Sequence, residues 1–453
     1  MHRSLSSTAF LMLLLTAWPV SVVRPTDKNQ EAAKPDQATI EALKAQIAAM
    51  KAEYERRIKD LEQQVEKIQI QMLQATPEPE AAIPPPQRGI QIIPGVLNPA
   101  ISVVGNLVGR GDSTKVFNEE GNRIDNKMNL REAEIDMRVP VDPYADAVLI
   151  TSVAASTPGR YSVDVEEGYV NIKKLPFMEK TPLGLKLKAG RFHPAFGKLN
   201  ILHTHDLPQS FRPLPIQEFL GEEGFNQNGV SGEFFVPTPW DDKSSMDATI
   251  QALTGGDIAI SPDARSRVSY LGHLRYFRTF EESHNFELGW STYYHPSGNG
   301  VSRVQLHGLD FMYRWKPFRQ GEWKSFILAG EGLFTNHAYP DALESPDVQS
   351  AIAGQKPGHG KPFGYTLYTQ WQFDRRKYAG VRWDQTSVLF NPGLRRRSLT
   401  LYFSYYFSEF LRFRLNYEHR WSDLFTENGR NSVFAELNFV FGSHPPEPFW
   451  VNK

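Results

Sequence analysis

The sequence predicts an all-β protein, a 16-stranded antiparallel transmembrane β-barrel preceded by an N-terminal α-helical coiled coil. Residues 411–421 (LRFRLNYEHRW) are the clearest sign, because apolar and polar or charged side chains alternate along the whole segment. Strict alternation indicates a β-strand with one apolar face and one charged face. A barrel in a membrane needs this pattern, since its outer face meets lipid and its inner face meets water. The same alternation recurs in residues 133–141, 365–373, 399–407 and 433–441.

Composition agrees with this fold and excludes several functions. The chain has 453 residues, a formal net charge of -1 and no cysteine. Its mean hydropathy of -0.43 is compatible with a membrane barrel, because only every second strand residue faces lipid. A charge near zero provides no basic surface for nucleic acid, and the lack of cysteine excludes disulfides and thiolate metal sites. No phosphate-binding glycine loop or nucleophile elbow is present, so the sequence predicts neither an enzyme nor a cofactor.

Residues 1–23 are predicted to be a secretory signal peptide. Arg3 supplies the positive charge near the start, and residues 10–17 (FLMLLLTA) form a short apolar core. This core is too short to cross a bilayer, which takes about 20 apolar residues. Pro19 leaves the cleavage point ambiguous, and an uncleaved anchor is the alternative.

Residues 37–75 are predicted to form a periplasmic coiled coil. Apolar residues recur at steps of three and four from Ile40 to Met72, with one extra step of four between Tyr54 and Ile58. Such a narrow seam favours self-association, and the extra step is a stutter in the heptad repeat. A lone amphipathic helix lying against the barrel is the alternative. Residues 76–99 follow as a Pro-rich linker, which cannot continue the helix.

The barrel is predicted over residues 100–443, with a C-terminal tail over residues 444–453. The strand count is even, as a single-chain bacterial barrel requires. Connections after even strands are short, whereas residues 110–127, 193–227 and 336–361 form long connections after odd strands. This asymmetry predicts periplasmic turns at one rim and extracellular loops at the other. The predicted strands are 101–109, 129–141, 144–155, 161–174, 183–192, 228–237, 245–254, 266–279, 284–295, 302–316, 322–335, 362–374, 376–388, 397–408, 410–421 and 430–442.

The inward face of the predicted barrel carries many charges. Each would cost about 2–4 kcal/mol if it faced lipid at the bilayer midplane. Acids on the second strand oppose bases on the fifth, thirteenth and fifteenth, an arrangement that sorts small ions. Replacing Arg412 and Arg414 with Gln is expected to shift selectivity toward cations with little effect on folding. For any one residue the alternative is a cross-strand pair that only solvates the lumen. The predicted pore-lining residues are Glu132, Glu134, Asp136, Lys186, Lys188, Arg382, Asp384, Arg412, Arg414, Glu418 and Arg420.

Two segments depart from the alternation. Near His307 and Gly308 the apolar parity shifts by one residue, which predicts a β-bulge. Residues 161–171 have no clear parity, so no inward residue is assigned there. Elsewhere, aromatic residues collect near strand ends, as in the interfacial girdles of membrane barrels. They include Trp290, Trp315, Trp371, Trp383 and Trp421.

The long connection 193–227 is the second candidate site. His203 and His205 are two residues apart, so on an extended segment they point the same way and could share a hard-to-borderline metal ion with a carboxylate. Without a third fixed ligand, these two histidines are only a weak candidate and no metal site is predicted. The alternatives are a constriction folded into the lumen and a loop packed by polar contacts. The candidate constriction residues are His203, His205, Asp206, Arg212, Glu218 and Glu222.

Three segments carry a family resemblance: residues 184–206 (GLKLKAGRFHPAFGKLNILHTHD), 219–240 (FLGEEGFNQNGVSGEFFVPTPW) and 438–449 (NFVFGSHPPEPF). They resemble outer-membrane porins of the phosphate-selective porin O and P superfamily, in an uncharacterised branch with some members labelled zinc-regulated or TonB-dependent. The resemblance implies a trimeric, 16-stranded porin in the outer membrane, in contact with its lipid. It also implies passive diffusion of small ions or anionic and polar solutes.

The chain departs from both labels. Residues 193–227 contain only Lys198 and Arg212 as lysine or arginine, fewer than a phosphate-selective loop suggests. A TonB-dependent receptor needs a plug inside a 22-stranded barrel, whereas only a coiled coil and a linker precede the first predicted strand. Two other functions remain open. One is a plug-less receptor or metal-related uptake protein, and the other is a structural tether between the outer membrane and the cell wall.

Overall fold

A computed structural model describes Arg56, Lys59 and residues 99–117, 123–124, 128–157, 160–175, 182–239, 241–255, 258–260, 267–296, 303–336, 360–424, 427–443 and 448–451. The chain divides into two units, Met1–Ile90 and Gln91–Lys453. In the first, Arg56 and Lys59 are helical. The predicted signal peptide, the rest of the coiled coil and the linker up to residue 98 lie outside the described residues. Among the described helices, none has the length and apolarity needed to cross a bilayer.

The second unit is a closed antiparallel barrel of sixteen strands, as predicted. Each strand pairs with its neighbours along the barrel, and β1 pairs with β18 to close it. A separate short hairpin joins β2 (Val116–Phe117) to β3 (Arg123–Ile124). The barrel strands are β1 (Ala100–Asp112), β4 (Met128–Asp142), β5 (Ala145–Thr157), β6 (Arg160–Ile172), β7 (Lys186–Phe192), β8 (Gln227–Val236), β9 (Ser244–Leu253), β10 (Ser269–Phe280), β11 (His284–His295), β12 (Val304–Trp315), β13 (Ser325–Thr335), β14 (Phe363–Asp374), β15 (Lys377–Ser387), β16 (Arg395–Ser408), β17 (Leu411–Ser422) and β18 (Arg430–Gly442).

The barrel is polar inside and apolar outside. On β17, Arg414 and Asn416 are fully buried, whereas Leu415 and Tyr417 are 43% and 40% exposed. The same alternation continues around the barrel, so large apolar side chains cover its outer face. Extensive exposed apolar surface of this kind marks contact with an apolar medium rather than with water. The distribution is therefore that of a membrane barrel.

The two rims differ in the length of their connections. Two-residue turns join β4 to β5, β14 to β15 and β16 to β17, at the rim where β1 begins and β18 ends. The long connection 193–226 starts from the opposite rim. Aromatic pairs lie toward both rims. The ring centroids of Trp315 and Trp371 are 6.0 Å apart near the rim with the short turns, called the turn side below. Those of Trp383 and Trp421 are 5.9 Å apart near the opposite rim, called the loop side. Aromatic residues at both ends are typical of membrane barrels.

A β-bulge explains the unclear parity of residues 161–171. Along β6, Val165 pairs with Thr151 and Glu167 with Ile150, so Glu166 is an extra residue. An extra residue reverses the inside and outside parity beyond it. Val165 is accordingly 46% exposed, whereas Glu167 is 9% exposed. The bulge turns two consecutive carboxylates, those of Glu166 and Glu167, toward the interior.

The bulge predicted near His307 is wrong. Strand β12 pairs with β11 and β13 without any register shift through this position. Instead, Val304 and Leu306 lie on the inner face and are buried in one hydrophobic cluster with Phe196 and Phe219. Apolar residues face inward here because the connection 193–226 offers them an apolar surface inside the barrel.

The segment of residues 193–226, called the inner loop below, fills part of the lumen. It contains a 3-10 turn (Thr204–Asp206) and the helix α1 (Leu214–Leu220), which contacts β13 to β16. The C-terminal residues 448–451 lie inside as well, on the turn side. Trp450 is fully buried and clusters with Leu207 of the inner loop and Tyr378 of β15.

Candidate functional site in the barrel lumen

The inner loop separates two cavities. The larger has a volume of about 500 Å³, lies in the turn-side half, and is lined by β4, β6, β7, β8, the inner loop and Phe449. The smaller, of about 190 Å³, lies near the loop rim among Arg110, Arg396 and Arg430. Residues 203–206 contribute to both walls, because Thr204 lines the smaller cavity while its neighbours line the larger. A solute crossing the barrel would have to pass this segment.

The predicted site residues divide into three groups. Those along the larger cavity are Glu134, Asp136, Lys186, Lys188, His203, His205 and Asp206. Those along the smaller cavity are Arg212, Glu222, Glu418 and Arg420. In the described part of the chain, the remaining residues line neither of these two cavities and lie buried against other groups: Glu132, Glu218, Arg382, Asp384, Arg412 and Arg414.

Arg382, Arg412 and Arg414 therefore require a correction, because the inner loop covers them. Together with Arg131 they form what we call the arginine wall. Arg414 donates hydrogen bonds to the carbonyl oxygens of Leu207, Gln209 (2.7 Å) and His205 (3.1 Å). In addition, the Arg412 guanidinium donates to the His205 carbonyl, Arg382 to the Phe211 carbonyl (2.9 Å) and Arg131 to the Ser210 carbonyl.

These bonds have a clear physical role. Among the described strands, none pairs with the segment 205–211, so its carbonyl groups have no sheet ladder to complete. A guanidinium carries five N–H donors and can satisfy several carbonyls at once. The arginine wall therefore replaces the missing strand and holds this segment against β4, β15 and β17.

Other side chains extend the anchoring. The Asp384 carboxylate accepts from the Leu214 amide at 3.2 Å, where α1 begins, and from Arg382 at 3.0 Å. The amide of Asn416 donates to the hydroxyl of Ser210 at 2.6 Å. At the end of α1, Glu218 pairs with Arg396 at 2.7 Å. Asp384 and Glu218 are thus positioning groups for the inner loop rather than cavity-lining charges.

The inner loop is also closed by its own polar side chains. The Asn200 amide donates to the carbonyls of Pro194 (2.9 Å) and Phe225 (3.1 Å), and its oxygen accepts from the Phe225 amide at 2.8 Å. Arg212 donates to the carbonyls of Leu199 (3.0 Å) and Leu202 (2.6 Å). Burial lowers the pKa of Arg212 to about 10, so the guanidinium stays charged at neutral pH.

Next to the arginine wall, along β4 and β6, the inner loop meets a group of acids. We call this group the acid–histidine cluster. His203 Nδ1 lies 2.8 Å from Glu166 Oε2 and 3.4 Å from Glu134 Oε1, and His205 Nδ1 lies 3.0 Å from the same Glu134 oxygen. The rings of His193 and His203 are 5.2 Å apart. The members of the cluster are Glu132 and Glu134 of β4, Glu166 and Glu167 of β6, and His193, His203 and His205 of the inner loop.

The surroundings of the three histidines shift their pKa values in different directions. Burial alone would lower the pKa of His203, but the neighbouring charge of Glu134 and the hydrogen bond to Glu166 raise it well above its usual value. Burial likewise opposes charging of His205, whereas Glu134 and Asp206 raise its pKa. Burial and the neighbouring His203 lower the pKa of His193 to about 4. His193 is thus neutral at neutral pH.

Sequence reasoning identified only part of this cluster. It singled out His203 and His205 but missed His193, because a histidine just after a strand carries no spacing signal. It also missed Glu166 and Glu167, since alternation cannot place two consecutive inward residues. The only available signal was the break in parity itself, which is what a bulge beside a functional site produces.

Comparisons with known proteins give a distant relative and resemblances in fold. No protein-family model matches the chain. An uncharacterized protein of Aquifex aeolicus is 25% identical over 357 residues, which make up 71% of this chain and 70% of that protein. Among solved structures, the outer membrane channel DcaP of Acinetobacter baumannii has a TM-score of 0.48 and 10% identity, covering 76% of this chain and 97% of its own.

Two further structures are similar to the same degree. OmpF of Salmonella typhi, in complex with daunomycin, has a TM-score of 0.48 and 12% identity over 75% of this chain and 97% of its own. The anion-selective porin from Comamonas acidovorans has a TM-score of 0.46 and 8% identity over 76% of this chain and 100% of its own. Because these scores are below 0.5, the assignment of the barrel rests on the strand pairing of the chain itself.

Proposed function

We propose that this protein is an outer-membrane channel of the porin type, through which small ions and small polar solutes diffuse passively. The observation that carries the proposal is the distribution of side chains: the outer face of the barrel is apolar and its interior is rich in charged side chains. A barrel of this strand number is wide enough to enclose an aqueous lumen. The motif resemblance to the phosphate-selective porin O and P superfamily supports the same function.

The inner loop restricts what passes. It occupies the lumen between cavities of about 500 and 190 Å³, so the channel is narrower than its strand number alone would allow. Lys186 and Lys188 line the larger cavity together with Asp136 and Glu233. Charges of both signs give only weak selectivity between anions and cations.

Conductance in a planar bilayer tests the proposal. We expect the purified, folded protein to give stable single-channel steps, small for a 16-stranded barrel, with a reversal potential near zero in a salt gradient. Heat-unfolded protein from the same preparation is the control. A folded barrel that inserts into the bilayer without conducting would contradict the porin function.

A gated uptake protein is the second candidate, and the interior filling favours it. Trp450 is fully buried on the turn side, and its indole donates to the carbonyl of Asp206 in the inner loop. The inner loop and the C-terminal residues thus obstruct the lumen together. A channel that is silent in salt alone and conducts only after a particular solute is added would favour this candidate.

We also propose that three copies of the chain associate through residues 37–75. The support is the heptad-like apolar seam, which is better buried against copies of itself than in water. Placing Asp at both Leu43 and Ile47 should reduce the trimer to monomers by analytical ultracentrifugation in detergent. The barrel itself should keep its heat-modifiable mobility on a gel. Loss of the folded barrel would indicate that this segment packs against it instead.

A further inference from the structure

The acid–histidine cluster has more negative charge than its surroundings neutralise. Glu134 and Glu132 are 3% and 7% exposed, and Glu167 is 9% exposed. Within the described residues, no lysine or arginine forms an ion pair with any of the four glutamates, whose only ion-pair partners there are His203 and His205. Buried carboxylates without compensating charge are strongly disfavoured. Protonated His203 and His205, or a bound cation, would supply the positive charge that these carboxylates require.

Hydrogen bonding is incomplete at the same place. Glu134 Oε1 and His205 Nδ1 are buried and 3.0 Å apart, yet neither makes a hydrogen bond of acceptable geometry among the described residues. An unsatisfied buried polar atom costs about 1–3 kcal/mol. The two atoms lie close together without a hydrogen bond between them, as ligand atoms do before they share a cation.

The donor atoms also have the spacing of metal ligands. Glu166, His193 and His203 each offer one ligand atom within 4.8 Å of the others, and Glu132, Glu134 and His205 do the same. In a tetrahedral zinc site with bonds of about 2.0–2.2 Å, ligand atoms are roughly 3.3–3.5 Å apart. Small side-chain movements would bring either group of three to that spacing.

We propose that the acid–histidine cluster binds a divalent transition-metal cation of the zinc class. Imidazole nitrogens combined with carboxylates suit such borderline ions, whereas Mg²⁺ and Ca²⁺ prefer oxygen ligands alone. The histidines come from the inner loop and the glutamates from β4 and β6, so the ion joins the inner loop to the barrel wall. His193, His203 and His205 line the larger cavity, which gives the ion a route of entry. The proposal does not depend on whether the barrel conducts.

Equilibrium dialysis of the folded, tag-free full chain against Zn²⁺, with metal measured by mass spectrometry, tests the site. We expect saturable uptake of one or two Zn²⁺ per chain that excess Mg²⁺ and Ca²⁺ leave unchanged. The double variant His203→Gln/His205→Gln should bind at least about tenfold more weakly. His273→Gln is the control, since His273 lies in β10 outside the cluster, where it bonds to Ser291 at 2.8 Å. It should bind Zn²⁺ like the unmodified protein.

Folding and binding are separated by a second variant. Glu134→Gln preserves the shape of the side chain and removes one proposed ligand, so it should also weaken Zn²⁺ binding while keeping the heat-modifiable mobility of a folded barrel. No saturable uptake by the unmodified protein would overturn the proposal. So would equal affinity in the folded double variant, or full displacement of Zn²⁺ by Mg²⁺. In that case His203 and His205 would be protonated partners of the glutamates.

Discussion

Two neighbouring parts of the barrel wall hold the same inner loop by opposite means. On the arginine wall, charged donors meet the carbonyl oxygens of residues 205–211, and Arg414 also pairs with Glu436. Around the acid–histidine cluster, four carboxylates meet three imidazoles, and no lysine or arginine of the described residues forms an ion pair with these carboxylates. Buried charges that meet groups of opposite polarity serve structure, whereas buried carboxylates crowded together are where a cation gains most.

This difference shows that a charged residue inside a barrel can either line the pore or hold the inner loop. Inward parity alone gives Arg414 and Lys188 the same role, that of a pore-lining cation. The structure distinguishes them, because Arg414 is fully buried beneath the inner loop whereas Lys188 lines the larger cavity. Only a charge that borders a cavity can act on a passing ion with its full field.

The largest effect is expected on the arginine wall. Replacing both Arg412 and Arg414 with Gln leaves Glu436 with Arg131, at 3.7 Å, as its remaining charged partner and removes the charged donors to the carbonyls of residues 205–209. Breaking a buried ion pair from one side costs about 3–5 kcal/mol. We therefore expect a lower free energy of unfolding in urea. We also expect a higher single-channel conductance, because the inner loop is no longer held in place and obstructs the lumen less. The sequence alone predicted little effect on folding for this change.

Lys186→Gln is the control for the arginine variants. Lys186 carries a charge on the same inward parity, but it is half exposed and 3.6 Å from Glu233. An exposed pair of this kind contributes about 1 kcal/mol or less. If the double arginine variant were as stable as Lys186→Gln and only its ion selectivity changed, the arginine wall would be a pore surface after all.

A smaller effect is expected where the inner loop meets the C-terminal residues. Trp450→Ala removes a fully buried ring and the hydrogen bond to the Asp206 carbonyl. The cost is at most about 3 kcal/mol, because the terminal residues can leave the cavity instead of leaving a void. We expect greater conductance with slight destabilisation. Trp323→Ala is the control, since Trp323 is 52% exposed in a turn at the same rim. Unchanged conductance would show that residues 448–451 do not obstruct the lumen.

The strands and the closed topology were predictable because each strand has one face toward an apolar medium. Alternation then repeats in every strand, and the predicted segments match β1 and β4 to β18 closely. The pattern failed where the inner loop replaces water inside the barrel. Val304 and Leu306 are inward and apolar because they pack in one cluster with Phe219, a contact that no local pattern encodes.

The candidate site was predictable in part for the same reason. His203 and His205 stand out in the sequence, but their partners Glu134 and Glu166 come from strands far away in the chain. The bulge at Glu166 depends on strand register, which is a property of paired strands. Likewise, Arg414 looks like any inward charge until the carbonyls of the inner loop are placed against it. Tertiary contacts decide the role of each residue.

The acid–histidine cluster should respond with the opposite sign to the arginine wall. The ligand atoms of Glu132 and Glu134 lie within 4.8 Å of each other, so their charges repel when no cation is bound. In a metal chelator, Glu132→Gln should raise the free energy of unfolding by about 1 kcal/mol. Glu233→Gln, which removes a half-exposed partner of Lys186, should not. Destabilisation by Glu132→Gln in chelator would show that these acids, like the arginine wall, form a structural network.

The smallest effect is expected at Lys188, whose ammonium group lies 4.3 Å above the ring of Tyr169 and borders the larger cavity. Its charge attracts anions into the cavity, while Asp136 and Glu233 oppose it. Lys188→Gln should shift the reversal potential in a salt gradient modestly toward cations, and the shift should shrink at high ionic strength because salt screens the field. Stability should change by less than about 1 kcal/mol. Lys188→Arg keeps the charge and should leave the reversal potential unchanged. If both variants shifted it equally, side-chain shape rather than charge would set the preference at this wall.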